Sequence, residues 1–594
     1  MGYMSEHFKL PILIKNPLHY LGLWIILVIL SVAILSFPLN VSYEYSSVES
    51  VLAIGKMMPL FALTFYVWFA ALLVLLFFSG ERNDWHKLAL LGIFALVFGG
   101  LWIINTPNGM QPDVWMHFGN INYIIENGRL VFGNPALGYL EFPALHIINA
   151  VILVISGLDF SQTMILYLLF SFALLSGLLF LFVKKCTGNS YLAALGVLLI
   201  IMGSVAGRML AFWPGNPSFL LMVMLLIWLL KSGVKSGLSA LVMIILMAGF
   251  VITYLPDPIY FIFFLSGIYF LQMAARKSTI ALTPILLFLV LFIVWQLYWA
   301  FDGFKSFAAW AKYFIEGLTN IEQSFNSVAL PLGQSLGGIT PFWAIITRYV
   351  WMGIFAIGGI LGLRNLLKFK KINSTVIRLT GGLVGAVIFT IICAVTFGVQ
   401  AQWVRFQEIG PLFLIPILLI FIAGLKFNKA IKTFIVMGLI LIVLAFSLPT
   451  FLLVGKLIDS NNVYTYETTP LTYFKSAFGG DNVVVNTDAA TRQMYFTYLY
   501  QTSFNTYPSS DDTSIAWAEI WDSMKSLAEN FASQTTNNNF FIINDTQLLT
   551  SQYQLSISSS DPNWLEIVHQ LEKNDQIYDN GHVQIYQSLS GVTK

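Results

Sequence analysis

The sequence predicts a polytopic α-helical membrane protein of about thirteen transmembrane helices, followed by a small α/β domain outside the membrane. Three observations carry this. First, 57% of the 594 residues are hydrophobic and only 10% are charged, against about 25% charged in an ordinary soluble domain. Second, apolar runs of about 17 to 22 residues recur through the first 454 positions, each long enough to cross a bilayer as a helix. Third, the net charge of +2 is unevenly spread: residues 455–594 carry 15 acidic and 6 basic side chains, a balance of −9, and the preceding part carries +11. Two regions in different surroundings are implied: a transmembrane part, 1–454, and a soluble extracytoplasmic part, 455–594.

In chain order the runs are 19–37, 57–79 and 88–104, then 163–183, 191–207, 217–231, 237–253, 258–274 and 280–299. The last four are 343–363, 379–398, 411–425 and 433–454. MGYMSEHFKLPILIKNPLHY reads as a cytoplasmic lead-in to the first run, because no small-residue cleavage site follows a short apolar core. A further run, FPALHIINAVILVISGL (142–158), is nearly long enough to cross. Lys and Arg near helix ends decide its placement. If it does not cross, 14 later basic residues fall on the cytoplasmic side and only Arg208, Lys305, Lys312, Arg348 and Arg405 fall outside. The segment is therefore read as re-entrant or interfacial. Residues 105–162 become an external region at the membrane surface, and the N-terminus is cytoplasmic.

In the tail, DNVVVNTD, NNNFFIIND and GHVQIYQS read as short strands. AATRQMYFTYLYQ and SIAWAEIWDSMKSLAENF read as helices between them, an α/β alternation. The tail has no cysteine, no glycine-rich phosphate loop and no nucleophile elbow, so the chemistry is expected elsewhere.

The external stretch PDVWMHFGNINYIIENGRL (112–130) is the first place to look. Pro112 suits a helix start and Gly128 a helix end. At 100° per residue, Asp113, His117 and Asn120 share one stripe, and Val114, Phe118, Ile121 and Ile125 share another. An interfacial helix with a polar stripe facing a groove is the expectation. The outer side also collects Glu141 and His146 around the re-entrant segment, Arg208 in RMLAFWPGNPS, Asp257 in TYLPDPIY, Arg348, and Arg405 with Glu408 in QAQWVRFQE. Ionisable groups at a membrane boundary are costly, which makes each a functional candidate. The external loop 301–342 starts amphipathic and ends glycine-rich, as a flap over an outer cavity would.

DVWMH at 113–117, ENG at 126–128 and EFPALH at 141–146, together with the closing DQIYDNGHVQIY, resemble the GT-C superfamily. These are integral-membrane glycosyltransferases that use polyprenyl-phosphate-linked sugars. The resemblance implies sugar transfer, hexosyl or pentosyl, at the outer face of the cell membrane, to a protein, lipid or glycan acceptor. It implies Asp113 as general base with His117 beside it. Arg348 and Arg405, with Arg208 third, would hold the lipid phosphate; Glu141, His146, Asp257 and Glu408, from the outer polar set, are read as substrate-binding candidates beside them. The WWDYG-type signature of oligosaccharyltransferases is absent, so transfer of a whole glycan to asparagine is disfavoured. No cofactor is required by these motifs, and a divalent metal is left open.

The chemistry is consistent with that implication. Sugar transfer needs a carboxylate to take the acceptor's proton and positive charge to stabilise the departing phosphate. Membrane lipids are expected partners and nucleic acid is not. Two other readings compete. An O-antigen-type ligase or polymerase would also be polytopic with outer arginines, but it does not account for the large tail. A lipid or sugar transporter would show charges at midplane and internal repeats, and the sequence shows neither.

Overall fold

The computed structural model describes residues 16–36, 59–78, 84–105, 112–130, 140–210, 212–230, 237–277, 280–301, 315, 342–368, 373–397, 406, 408–425 and 429–459. In the tail it describes 484–488, 503–507, 525–526, 528, 531, 539–544, 562–571, 575–579 and 583–587.

Helix α1 (Pro17–Leu35) starts where the Asn16 side chain accepts the Leu18 N–H at 2.9 Å and Pro17 occupies the first turn. It is followed by α2 (Pro59–Phe78), α3 (Asp84–Asn105), α4 (Pro112–Asn127), α5 (Ala144–Ser156) and α6 (Phe160–Thr187). The turn between α5 and α6 is tight. Gly157, at φ +66°, ends α5, and Asp159 and Gln162 form a reciprocal capping box that starts α6. Next come α7 (Ser190–Ile200), a π-helical turn at Ile201–Val205, and α8 (Ala206–Leu210). These lead into α9 (Gly215–Leu229), α10 (Gly237–Val251), α11 (Pro256–Ala274) and α12 (Leu282–Tyr298). The last four helices before the tail are α13 (Phe342–Leu367), α14 (Ser374–Phe397), α15 (Pro411–Gly424) and α16 (Lys429–Asp459).

Each of the thirteen predicted runs falls on a helix, 191–207 falling on α7 and α8 with the π turn between them. Among the described residues, eight helices are long and apolar enough to cross a membrane unaided; α7, α9, α10, α12 and α15 are shorter. The ambiguous run 142–158 is α5, whose 13 residues span about 20 Å against a hydrocarbon core of about 30 Å.

Helix α7 is buried from Tyr191 to Ile200, as expected of a central helix that is apolar on every face. Around it pack α3 and α6, with Phe94, Phe98, Phe172 and Leu175 fully buried. At one end Asp84, opening α3, pairs with Lys184 in the last turn of α6 and accepts from Ser190 Oγ of α7 at 2.8 Å. Helices α11 and α14 meet backbone to backbone. A Cβ at Gly385 would collide with the Phe263 carbonyl oxygen, and one at Gly381 would stand 2.6 Å from the Ile268 Cα. Small residues four apart give this close approach, and it fixes α11, which carries Asp257.

The tail carries a five-stranded sheet: β1 (Val484–Asp488), β2 (Ser503–Tyr507), β3 (Asn539–Asn544), β4 (Asp575–Asp579) and β5 (Val583–Gln587), with helix α17 (Pro562–Leu571) before β4. The order is β2-β1-β3-β5-β4. β1 runs parallel to β2 and β3, and β5 runs antiparallel to β3 and β4. The three predicted strands are β1, β3 and β5. SFNTY and DQIYD, which form β2 and β4, are too polar to stand out as strands. The predicted helix at 489–501, most of the one at 514–531 and nearly all of the expected flap 301–342 lie outside the described residues.

Candidate functional site

Helix α4 starts at Pro112 and ends where Gly128 takes φ +63°. Its buried face holds Val114, His117, Asn120 and Ile121, and Phe118 stacks on Phe160 of α6 at 4.0 Å between ring centroids. Ile125, expected on the apolar stripe, is exposed. The polar stripe therefore turns inward at His117 and Asn120. Asp113 lies one turn before His117 in the same helix; its side chain is outside the described residues.

Helix α5 lies against α4 and presents His146 and Asn149, both fully buried. His117 Nδ1 stands 3.1 Å from His146 Nε2, so one imidazole N–H donates to the other. Burial pushes both rings toward the neutral form: His117 well below the ordinary histidine range, His146 to about 3. Asn120 and Asn149 donate to the carbonyls of Met116 and Leu145 at 3.0 and 2.9 Å. Their Oδ1 atoms find no partner among the described residues. Glu141 is buried before α5, and its carbonyl accepts from Trp295 Nε1 of α12 at 3.0 Å.

A second cluster forms where α8, α11 and α15 begin or end. Arg208 donates from Nη2 to Asp257 Oδ2 at 2.5 Å and from Nη1 to Glu408 Oε2 at 2.8 Å. Nη2 also reaches the Gly215 carbonyl at 3.3 Å. The Arg208 and Asp257 side chains are each 1% exposed and that of Glu408 is 14% exposed. The guanidinium stands 5.1 Å from the Trp213 ring, and Trp213 Nε1 returns a hydrogen bond to the Arg208 carbonyl at 3.0 Å. Arg208 Nε and Asp257 Oδ1 remain without a partner among the described residues.

Phe212 and Trp213 join the two clusters. Phe212 packs edge-on against His117 at 6.5 Å and against Phe160 and Tyr167, while its neighbour Trp213 covers Arg208 and meets Tyr254. Six of the nine predicted site residues thus have described side chains. Of these, His117 and His146 form one cluster, Arg208, Asp257 and Glu408 form the other, and Glu141 is tied to α12. Arg348 lies in α13 with its side chain undescribed, and Arg405 is outside the described residues. Sequence reading passed over Phe212, Trp213 and Asn149. The repeated His-x-x-Asn spacing, HFGN at 117–120 and HIIN at 146–149, was the available signal for Asn149.

Among the described residues no group of three or more His, Cys, Asp or Glu side chains is arranged to hold a metal ion.

The fold and site define a multi-helix membrane protein with two buried polar clusters, one between α4 and α5 and one of Arg208, Asp257 and Glu408. Neither a known family's sequence model nor a curated protein sequence matches the chain. Among solved structures it is similar to the oligosaccharyltransferase of Archaeoglobus fulgidus in the apo form, at 12% identity and a TM-score of 0.49, over 79% of this chain and 70% of that one. It is also similar to ArnT from Cupriavidus metallidurans. The form bound to undecaprenyl phosphate gives 12% identity and a TM-score of 0.41, the apo form 13% and 0.39, each over 85% of this chain and 98% of that one.

Proposed function

We propose that the chain is a glycosyltransferase that moves a sugar from a polyprenyl-phosphate donor to an acceptor at the outer face of the cell membrane, with Asp113 as general base. The observation that carries this reading is the convergence of α4 and α5 with Arg208, Asp257 and Glu408 through the Phe212–Trp213 turn. Asp113 lies in the first turn of the same α4, one turn before His117.

In the reaction, the acceptor oxygen forms a bond to the anomeric carbon as that carbon's bond to the donor phosphate oxygen breaks. Asp113 takes the acceptor's proton, and the polyprenyl phosphate leaves with the bonding electrons. Arg348 and Arg405 are assigned to the leaving phosphate, since an arginine fork matches phosphate oxygens. Arg208 has both terminal nitrogens committed to carboxylates, so its role here is to hold α8, α11 and α15 together behind the site. The neutral His117–His146 pair seats α4 on α5 and so positions Asp113. The N-terminus is placed in the cytoplasm, and residues 455–594 are placed outside as an α/β domain.

The test is reconstitution of the full chain in lipid with a panel of labelled polyprenyl-phosphate sugars and membrane extract as acceptor source. Discharge of one donor, lost in Asp113→Asn with donor binding retained, supports the assignment. Discharge that continues undiminished in Asp113→Asn removes the base.

A further inference from the structure

Helices α13, α14 and α15 enclose a groove of about 450 Å³. Met352, Gly359, Leu363, Val387 and Leu414 are among its lining residues, and Thr380 is the one that brings a polar side chain. Leu363 and Val387 are 59% and 39% exposed, so the groove opens sideways toward the lipid. Its width comes from glycine: a Cβ on Gly359 would meet nothing closer than a Leu414 methyl at 3.7 Å.

Thr380, like Thr163, lacks the hydrogen bond that several other helical threonines make. Thr64, Thr187 and Thr390 each donate to the carbonyl four residues back, at 2.7, 2.9 and 2.8 Å, which is how a hydroxyl is satisfied in an apolar helix. Thr380 is fully buried, lines the groove, and its Oγ1 has no partner among the described residues. A hydroxyl left in an apolar cavity is costly unless a ligand supplies an acceptor.

The depth of that hydroxyl restricts the ligand. Thr380 lies six residues from the start of α14 at Ser374, about 9 Å along the helix. With that helix start taken at the membrane surface, the hydroxyl lies just inside the polar layer of one leaflet, which is about 5–8 Å thick. The same end of the bundle is basic: Arg364 closes α13, directly after the lining residue Leu363, with its guanidinium 5.4 Å from the Phe421 ring.

We propose that the groove is a binding site for one anionic glycerophospholipid. A chain fills the apolar channel, a linkage oxygen of the glycerol (ester carbonyl or ether) accepts from Thr380 Oγ1, and the phosphate pairs with Arg364. A polyprenyl phosphate also carries acceptor oxygens where its chain meets the phosphate, and it is the competing occupant that the titration below separates. One end of the groove borders the arginines assigned above to the donor phosphate, Met352 lying one turn after Arg348 and Phe406 directly after Arg405 in the sequence; the head-group end proposed here is the other one, at Arg364, about 18 Å further along α13.

The experiment is native mass spectrometry of the delipidated full chain, titrated separately with ester phosphatidylglycerol, its dialkyl ether analogue and undecaprenyl phosphate. Wild type is expected to retain one phosphatidylglycerol or its ether analogue in preference to undecaprenyl phosphate. Thr380→Val, which keeps the shape and removes the hydroxyl, should weaken retention roughly fivefold, with Thr380→Ser restoring it. Gly359→Leu, which fills the groove, should abolish retention, and Arg364→Gln should reduce it for phosphatidylglycerol. Equal retention by wild type, Thr380→Val and Gly359→Leu would overturn the proposal. So would a preference for undecaprenyl phosphate that Gly359→Leu removes, since the groove would then belong to the donor.

Discussion

Replacing Arg208 by Met leaves Asp257 and Glu408 buried without the guanidinium that each now touches, at 2.5 and 2.8 Å. Removing one partner of a buried pair typically costs about 3–5 kcal/mol, because the remaining charge stays desolvated. Here two carboxylates are stranded, so Arg208→Met should lie at the upper end of that range. The partners should differ. Asp257, at 1% exposure, loses more on neutralisation than Glu408, whose side chain is 14% exposed and within reach of water. The expected ranking of destabilisation is therefore Arg208→Met, then Asp257→Asn, then Glu408→Gln. The assay is equilibrium unfolding in mixed detergent micelles across the three single variants, the Arg208→Met/Asp257→Asn pair and the triple variant. The pair should cost at least 2 kcal/mol less than its two singles together, by rough count from the same range. The triple variant should recover much of the loss, because it buries no charge. Strictly additive singles, or an Arg208→Met protein within about 1 kcal/mol of wild type, would refute the buried network.

Three further perturbations test other parts of the account. Both buried imidazoles are held below the ordinary histidine value of about 6.5, His117 well below it and His146 to about 3, because burial disfavours the charged ring. The folded state therefore binds fewer protons than the unfolded chain in that window. The stability they allow is complete above about 6.5 and falls as pH drops, by up to about 1.4 kcal/mol per pH unit for each ring. Unfolding midpoints compared at pH 7.5 and 5 should show this drop in wild type and much less of it in a His117→Gln/His146→Gln variant; identical slopes would remove the pair from the account. Gly385→Leu drives a side chain into the Phe263 backbone and should cost about 3 kcal/mol or more. Gly353→Ala, with nothing within 4 Å, should be neutral or slightly stabilising, and equal effects at the two positions would contradict the α11–α14 contact. Asp159→Ala removes the α6 capping box and should cost about 1 kcal/mol, read from the same unfolding curves; no change would mean that the α5–α6 turn is held by packing alone.

The helices were legible because runs such as 163–183 and 258–274 carry a signal that a single chemical rule explains: a long apolar stretch has few alternatives to a helix in lipid. The breaks inside them were less so. The π turn at Ile201–Val205 comes from a continuous apolar run with no proline, and nothing local in IMGSV announces it. Arg208, Asp257 and Glu408 were each visible as costly charges. Their partnership was not, since they lie 49 and 200 positions apart from Arg208 and no helical or strand period links them. His117 and Asn120 were expected on a stripe facing a groove. Their burial against α5 depends on His146, 29 positions on, a tertiary contact that periodicity does not encode. In the tail, β2 and β4 were missed because SFNTY and DQIYD lack the apolar alternation of a half-buried strand.

The central claim is that Asp113 accepts a proton from a sugar acceptor, and a single-turnover comparison tests it most directly. Full-length wild type and Asp113→Asn would be loaded with one labelled polyprenyl-phosphate sugar, with bound donor and transferred sugar measured in the same samples. The account predicts near-equal donor binding and a transfer rate at least 100-fold lower in Asp113→Asn, the low end of what a positioned general base contributes. Equal rates of transfer in the two proteins would contradict it.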